Sequence, residues 1–268
     1  MNRIHAGILA LSLCVPSFSS IRIPFSGPMG ATAGAGSVLG WEVSGQGLNP
    51  AVGGIQILGF SFSTYAPFGI ENLRISEAGM IWSGAKWGMG VDYRGWEGPV
   101  GYSSSMEIRE GLNLGKGATV GLSIQGMDEN GISRVNEWGA GFIWNGIPFI
   151  KLGVMASAAI ESENDPFHAG LGADAGWALK NGYGFRLCVE SHYLPNQSLD
   201  WRFGARLRLH SLLSLHAGYN PSAETFGLGL RFGMGSWEGF HAMRIHSELG
   251  SSSLQGLQWH RHLGNLSY

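Results

Sequence analysis

The segment DWRFGARLRL, residues 200–209, sets Trp201, Phe203, Ala205, Leu207 and Leu209 on one side of an extended chain and Arg202, Gly204, Arg206 and Arg208 on the other. Successive side chains of a strand point to opposite faces, so this text predicts a strand with one apolar and one polar face. Segment 183–193 repeats the pattern, with Tyr183, Phe185, Leu187, Val189 and Tyr193 against Arg186, Cys188, Glu190 and His192. Segment 224–232 does so again, with Phe226, Leu228, Leu230 and Phe232 against Gly227, Gly229 and Arg231. The alternation persists from residue 55 onward and predicts an all-β fold.

A soluble sandwich would alternate in the same way, with its apolar face inward. Two features place lipid outside instead. The repeat unit is about ten residues, the length of a tilted membrane strand. Aromatic residues fall at the predicted strand ends, among them Trp82, Trp87, Tyr93, Trp138, Trp144, Trp177, Tyr193, Trp201, Tyr219 and Trp237, as interfacial girdles require. A sheet in hydrocarbon must pair every backbone amide internally and therefore closes on itself. The expected architecture is a transmembrane up-and-down antiparallel β-barrel over residues 55–268.

Turn signals at Ser83-Gly84-Ala85, Glu97-Gly98-Pro99, Gly115-Lys116-Gly117, Asp128-Glu129-Asn130-Gly131, Asn145-Gly146, Asn164-Asp165-Pro166, Lys180-Asn181-Gly182, Pro195-Asn196, Asn220-Pro221-Ser222 and Gly250-Ser251 divide this span. The segments between them number roughly fourteen strands, with about fifteen residues for each strand and its turn, so the loops are short.

The first residues place Arg3 ahead of an apolar run from Ala6 to Val15, then Pro16 and the small-residue exit Ser17-Phe18-Ser19. That order reads as a secretory signal peptide over residues 1–19. Cys14 leaves with it, and Cys188 alone remains, so no intramolecular disulfide forms. No run of 18 or more apolar residues follows, so no transmembrane helix is expected. The net charge is −2 and the few cations are scattered, which argues against a nucleic-acid surface.

Residues 20–54 precede the first strand, and 27–54 do not alternate. GPMGATAGAGSVLGWEVSGQGLNPAVGGI, residues 27–55, is dominated by small residues and contains no lysine or arginine. A barrel of about fourteen strands has more interior than its wall side chains fill, so this text is expected to pack inside as an N-terminal hatch or plug, with Gly34, Gly36, Asn49 and Pro50 as its marked positions.

Glycine-rich text leading to "NPA" at residues 49–51 resembles the FadL-like outer-membrane barrels, and especially their PorV/PorQ branch. The C-terminal text, with "AGY" at 217–219, "GLGLRFG" at 227–233 and "HSELG" at 246–250, resembles the same branch. The resemblance implies a bacterial outer-membrane barrel with outer-membrane lipid as its surroundings. It implies either an accessory role in secretion or surface attachment, through contacts with secretion-system proteins, or a FadL-like passive channel for hydrophobic small molecules. Two departures stand out: the loops are shorter than in FadL or PorV, and the final WHRHLGNLSY is more polar than the usual ending, although Tyr268 supplies a terminal aromatic.

No catalytic, cofactor or metal motif emerges. GAGSVLG at 34–40 misses the dinucleotide spacing and has no strand before it, and GLNLGKGAT at 111–119 has Gly117 where a phosphate loop needs Ser or Thr. His241, His246, His260 and His262 have no Cys or carboxylate completing a ligand set. No serine is singled out as a nucleophile. Arg74, Arg109, Arg186, Arg202, Arg206, Arg208, Arg231 and Arg244 are expected inward with Asp92, Glu107, Asp174, Glu190 and Glu238. They would form selectivity rings or pair with each other and with the hatch. The lumen candidates are Arg202, Arg206 and Arg208 first, with Arg186, Glu190 and Arg231.

Overall fold

An open sheet edge has no partner in lipid, and here the sheet leaves none. A computed structural model describes residues 32, 35–39, 49–55, 57–67, 73–98, 101–129, 132–159, 167–178, 183–193 and 198–262. The expected signal peptide, Gly34 and Tyr268 lie outside the described residues. The strands are β1 (Ile57–Ala66), β2 (Arg74–Ser83), β3 (Trp87–Gly98), β4 (Gly101–Gly115), β5 (Ala118–Glu129), β6 (Ile132–Ile147), β7 (Ile150–Ala159), β8 (Phe167–Ala178), β9 (Gly184–Tyr193), β10 (Asp200–His210), β11 (Leu213–Asn220), β12 (Thr225–Met234), β13 (Trp237–His246) and β14 (Gly250–His262). Each pairs antiparallel with its sequence neighbours, and β1 closes on β14 from Ile57↔His262 to Ala66↔Ser253. The chain is a closed fourteen-stranded up-and-down barrel.

The burial pattern is inverted relative to a soluble sandwich. Leu187, Leu207, Leu215, Leu228 and Leu230 are exposed on the outside, while Glu77, Asp92, Arg109, Asp174, Glu190, His192 and Arg202 are buried on the inside. Water cannot be the outer solvent for that apolar belt. Trp82, Trp177 and Trp237 ring the belt near the rim where β1 begins and β14 ends, and Tyr102, Tyr193, Trp201 and Tyr219 ring it near the opposite rim. Two aromatic girdles flanking an apolar band are the surface of an outer-membrane barrel.

The three widest sequence gaps between consecutive strands, after β1, β7 and β9, all follow strand ends at the rim opposite the strand termini. Outer-membrane barrels carry short turns on the periplasmic side and longer loops outside, so that rim faces the exterior.

Two boundaries differ from the sequence expectation. The chain does not turn at Asn145-Gly146. A register irregularity between Trp144 and Ile147 carries β6 on to Ile147, and the turn falls at Pro148-Phe149, where Phe149 takes φ 75°. Gly250 opens β14, and the turn before it spans 247–249.

Candidate functional site

Glycines on the inward parity mark the site. Gly88, Gly111, Gly121 and Gly141 are register partners in one cross-strand row over β3–β6. Bare backbone there lets a second length of chain approach closely. A Cβ at Gly121 would land on the carbonyl of Pro50, at Gly111 on the Gly53–Gly54 peptide, and at Gly141 on the Asn49 side chain. The chain in contact is the short 3₁₀ helix Pro50–Gly54, fully buried, opened by Pro50 and capped by Asn49, whose Oδ1 accepts from the Ala51 amide at 3.0 Å.

The same relation continues around the wall. Val38 lies on Gly153 of β7 and Gly170 of β8, Ala35 on Gly204 of β10, and Thr32 on Gly218 of β11. At the other end Ile57 donates its amide to Ser83 Oγ on β2 at 2.8 Å. The described N-terminal residues therefore follow the inner wall from β11 to β2 on a track of glycines.

Two side chains hold that path. Glu190 on β9 is fully buried, and its Oε1 accepts the amides of Val38 at 2.9 Å and Leu39 at 3.2 Å while Oε2 accepts Ser37 Oγ at 2.9 Å. Gly36, at φ 97°, provides the backbone bend immediately before those donors. Asn49 Nδ2 reaches the carbonyls of Val38 at 2.7 Å, Val154 at 3.1 Å and Phe142 at 3.2 Å, so it ties the two parts of the segment to each other and to β6 and β7. Behind Glu190, His192 stacks on His168 at 5.3 Å with Nε2 of His168 3.1 Å from Nδ1 of His192.

Ser37, His192 and Glu190 superficially suggest a nucleophile set, but the order of contacts is that of a clamp. In a triad the imidazole lies between hydroxyl and acid, using a different nitrogen for each. Here Ser37 Oγ donates directly to the carboxylate, and the single nitrogen His192 Nε2 faces Glu190 Oε2 at 3.3 Å.

The wall charges are placed largely as their parity demands. Arg94 Nε meets Glu77 at 2.7 Å, Arg109 meets Asp92, Arg202 meets Asp200 at 2.7 Å, Arg186 meets Asp174 at 3.4 Å, and Arg231 meets Glu238. Arg202, Arg206 and Arg208 share the inner face of β10 at different depths. Arg202 is buried against Asp200 on the exterior side of Gly204, while Arg206 and Arg208 lie beyond it toward the termini rim and grow more exposed. Arg74 corrects the expected inward set. It sits on the outward parity of β2, exposed, with Glu97 as its register partner, because the polar residues at the start of β2 hide which face is apolar. The histidines disperse: His241 faces outward, His246 inward, and His260 lies 3.7 Å from Glu238. Among the described residues no group of three or more His, Cys, Asp or Glu is placed to hold a metal ion.

No family model and no curated protein matches the chain. Among solved structures the barrel is similar to the Acinetobacter baumannii outer membrane protein Omp33, at 7% identity over 76% of this chain and 97% of that one, with a TM-score of 0.58. The KdgM porin matches at 8% identity over 75% of this chain and 98% of that one, with a TM-score of 0.46. The NanC porin matches at 7% identity over the same shares, with a TM-score of 0.45. The likeness to Omp33 is one of fold, and with the apolar exterior and polar interior it makes this chain a fourteen-stranded β-barrel of the bacterial outer membrane.

Proposed function

We propose that this barrel is a passive outer-membrane channel in which the N-terminal segment, residues 20–54, serves as a plug. The observation that carries the proposal is the glycine track. The wall gives up side chains where the segment lies and holds it through hydrogen bonds at Glu190 and Asn49. A non-covalent arrangement of this kind is a two-state element that a solute or partner can bias.

The FadL-like alternative, hydrophobic small molecules as cargo, draws on the sequence resemblance, and a small cavity of about 60 Å³ bears on it only by the apolar part of its lining. The cavity is lined by Ile75, Trp96 and Met127 with Arg94, Ser103 and Ser105. It adjoins an inward apolar cluster of Tyr65, Ile75, Phe240, Ala242 and Leu254. The PorV/PorQ-like accessory role in secretion or surface attachment draws its support from the sequence resemblance alone. Co-migration with secretion components on a native gel would favour it.

The test is conductance in planar bilayers. The full chain is expected to give low or intermittent conductance, and a variant lacking residues 27–54 a larger and steadier one. Absence of conductance from both would sink the channel reading.

A further inference from the structure

The outward positions of β7, β8, β11 and β12 are apolar or aromatic throughout, from Leu152 and Val154 to Leu228 and Leu230. At the closure of the barrel the outer face departs from that rule. Ser76 on β2, Thr64 on β1, Gln255 on β14 and His241 on β13 are successive register partners, so they form one cross-strand row, and the row ends on Leu230 of β12. All four take the outward parity of their strands, with His241 and Gln255 exposed and Thr64 and Ser76 half-buried. In the next row toward the exterior, Ser253 stands between Ala66 and Met243.

Depth separates this row from polar residues at a rim. His241 has Met243 and Ile245 beyond it toward the exterior and Trp237 before it toward the termini. Gln255 has Leu257 and Trp259 on its termini side. Closer to the termini rim, Trp237, Trp259 and Phe60 are register partners from the same three strands, with ring centroids 5.4 Å apart for Phe60 and Trp237 and 5.7 Å apart for Phe60 and Trp259. The imidazole and the amide therefore lie on the lipid side of the wall within its apolar band.

Hydrocarbon offers no hydrogen bond, so polar groups held in it cost free energy that a partner can recover. Gln, His, Ser and Thr side chains each carry both donor and acceptor capacity. A surface built from them is complementary to itself: against an identical row, the amide and the imidazole find both halves of a hydrogen bond. The row holds no Asp, Glu, Lys or Arg, so a partner of one charge sign has nothing to pair with. Small side chains at Ala66 and Ser253 let a second surface come close, as they do where membrane segments meet.

We propose that the outer face of β13, β14 and β1 is the contact between two copies of this chain in the membrane, related by a twofold axis along the membrane normal. Such an axis keeps both copies inserted in one direction and brings each residue against residues at its own depth. The contact lies outside the wall, so it holds whether the barrel conducts or stays plugged.

The test uses the full chain, refolded into phosphatidylcholine vesicles and into non-ionic detergent. Ser253→Cys is expected to give a disulfide-linked dimer on mild oxidation in vesicles. Val154→Cys on β7, across the barrel, and the parent chain with its buried Cys188 are expected to give none. Sedimentation in detergent is expected to show a dimer, and His241→Leu with Gln255→Leu is expected to weaken it about tenfold or more, equivalent to about 1.4 kcal/mol. Leucine suits lipid, so that variant is expected to keep or raise the urea midpoint of the parent, whereas a role for these side chains within the single barrel would lower it. A monomeric parent at every protein-to-lipid ratio, or dimers formed equally by the leucine variant, would overturn the proposal. Linkage through Val154→Cys in place of Ser253→Cys would overturn it too, by moving the contact to another face. Protection of Ser253→Cys from maleimide in native outer membranes, without a dimer of this chain, would assign the face to a different protein and equally overturn it.

Discussion

Glu190 Oε1 accepts the Val38 amide at 2.9 Å across 152 positions of sequence. That bond joins the barrel wall to the segment inside it, and with the Leu39 amide and Ser37 hydroxyl it gives one buried carboxylate three donors. Hydrogen bonds to an ionised group contribute about 1.5–3 kcal/mol each. Glu190→Gln keeps the shape but loses the charge and turns part of the acceptor capacity into donors. A loss of about 2 kcal/mol would raise the population of the released segment roughly thirtyfold. Single-channel recording should show this as a higher open probability, with an unchanged folded fraction on gels. An open probability equal to that of the parent chain would mean that Glu190 does not hold the segment.

Gly121 separates the wall from its content. A Cβ there meets the Pro50 carbonyl and the Ala51 nitrogen, both backbone, so the segment has to move. Valine is a good strand residue, and Gly121→Val therefore leaves the wall sound while expelling the 3₁₀ helix. Proteinase K should then cut between residues 49 and 55 in the refolded barrel, where the parent chain resists. Gly84→Ala is the control, because its added carbon finds only the Trp87 carbonyl at 3.6 Å, an ordinary contact. Equal resistance of the valine variant and the control would place the segment elsewhere in solution.

The wall was legible because lipid and lumen demand opposite residues at every step, and period two records that demand directly. Segments such as 200–209 and 224–232 correspond to β10 and β12. Turns were legible at many of the places where glycine or asparagine marks them, though Gly235-Ser236, between β12 and β13, was passed over. They were not at Ser211-Leu212, whose two residues carry no turn signature, nor at Pro148-Phe149, where a bulge displaces the turn from Asn145-Gly146. Arg74 was misread since β2 opens with polar side chains on both faces. Glu190 could be placed inward by parity, but its partners are two backbone amides and a serine far away in the chain, and backbone donors leave no mark in sequence. The readable clue to the segment's path was the inward parity of Gly88, Gly111, Gly121 and Gly141, which only the strand register converts into a single row.

Asn49 gives a prediction with a definite order. Its Oδ1 caps the 3₁₀ helix while its Nδ2 serves three carbonyls. Asn49→Ala loses a cap worth about 1 kcal/mol and leaves buried carbonyls short of a donor. Asn49→Asp keeps the cap but turns a carboxylate oxygen toward the oxygens of Val38, Phe142 and Val154, a buried charge without a partner. Hydrogen exchange at the Val52 and Ile55 amides, which bond to Asn49 and Val52 carbonyls, should quicken in the order parent, Ala, Asp. Faster exchange in the Ala variant than in the Asp variant would show that capping outweighs the three carbonyl contacts.

The orientation of the wall yields the last prediction. Leu230 stands at the centre of β12 on the outer face, 47% exposed, with Leu215 and His241 as its cross-strand partners. Leu213, also outward, opens β11 at the termini rim. If the outer solvent is hydrocarbon, arginine at the first position costs about 2–4 kcal/mol and at the second about 0–1 kcal/mol, because the penalty falls toward the interface. Urea unfolding in lipid vesicles, followed by tryptophan fluorescence, should therefore lower the midpoint strongly for Leu230→Arg and little for Leu213→Arg. Water outside would make the two substitutions nearly equal and mild, since both side chains already face solvent. Such a result would contradict a lipid-facing belt, and it would require the apolar exterior to be covered by protein instead.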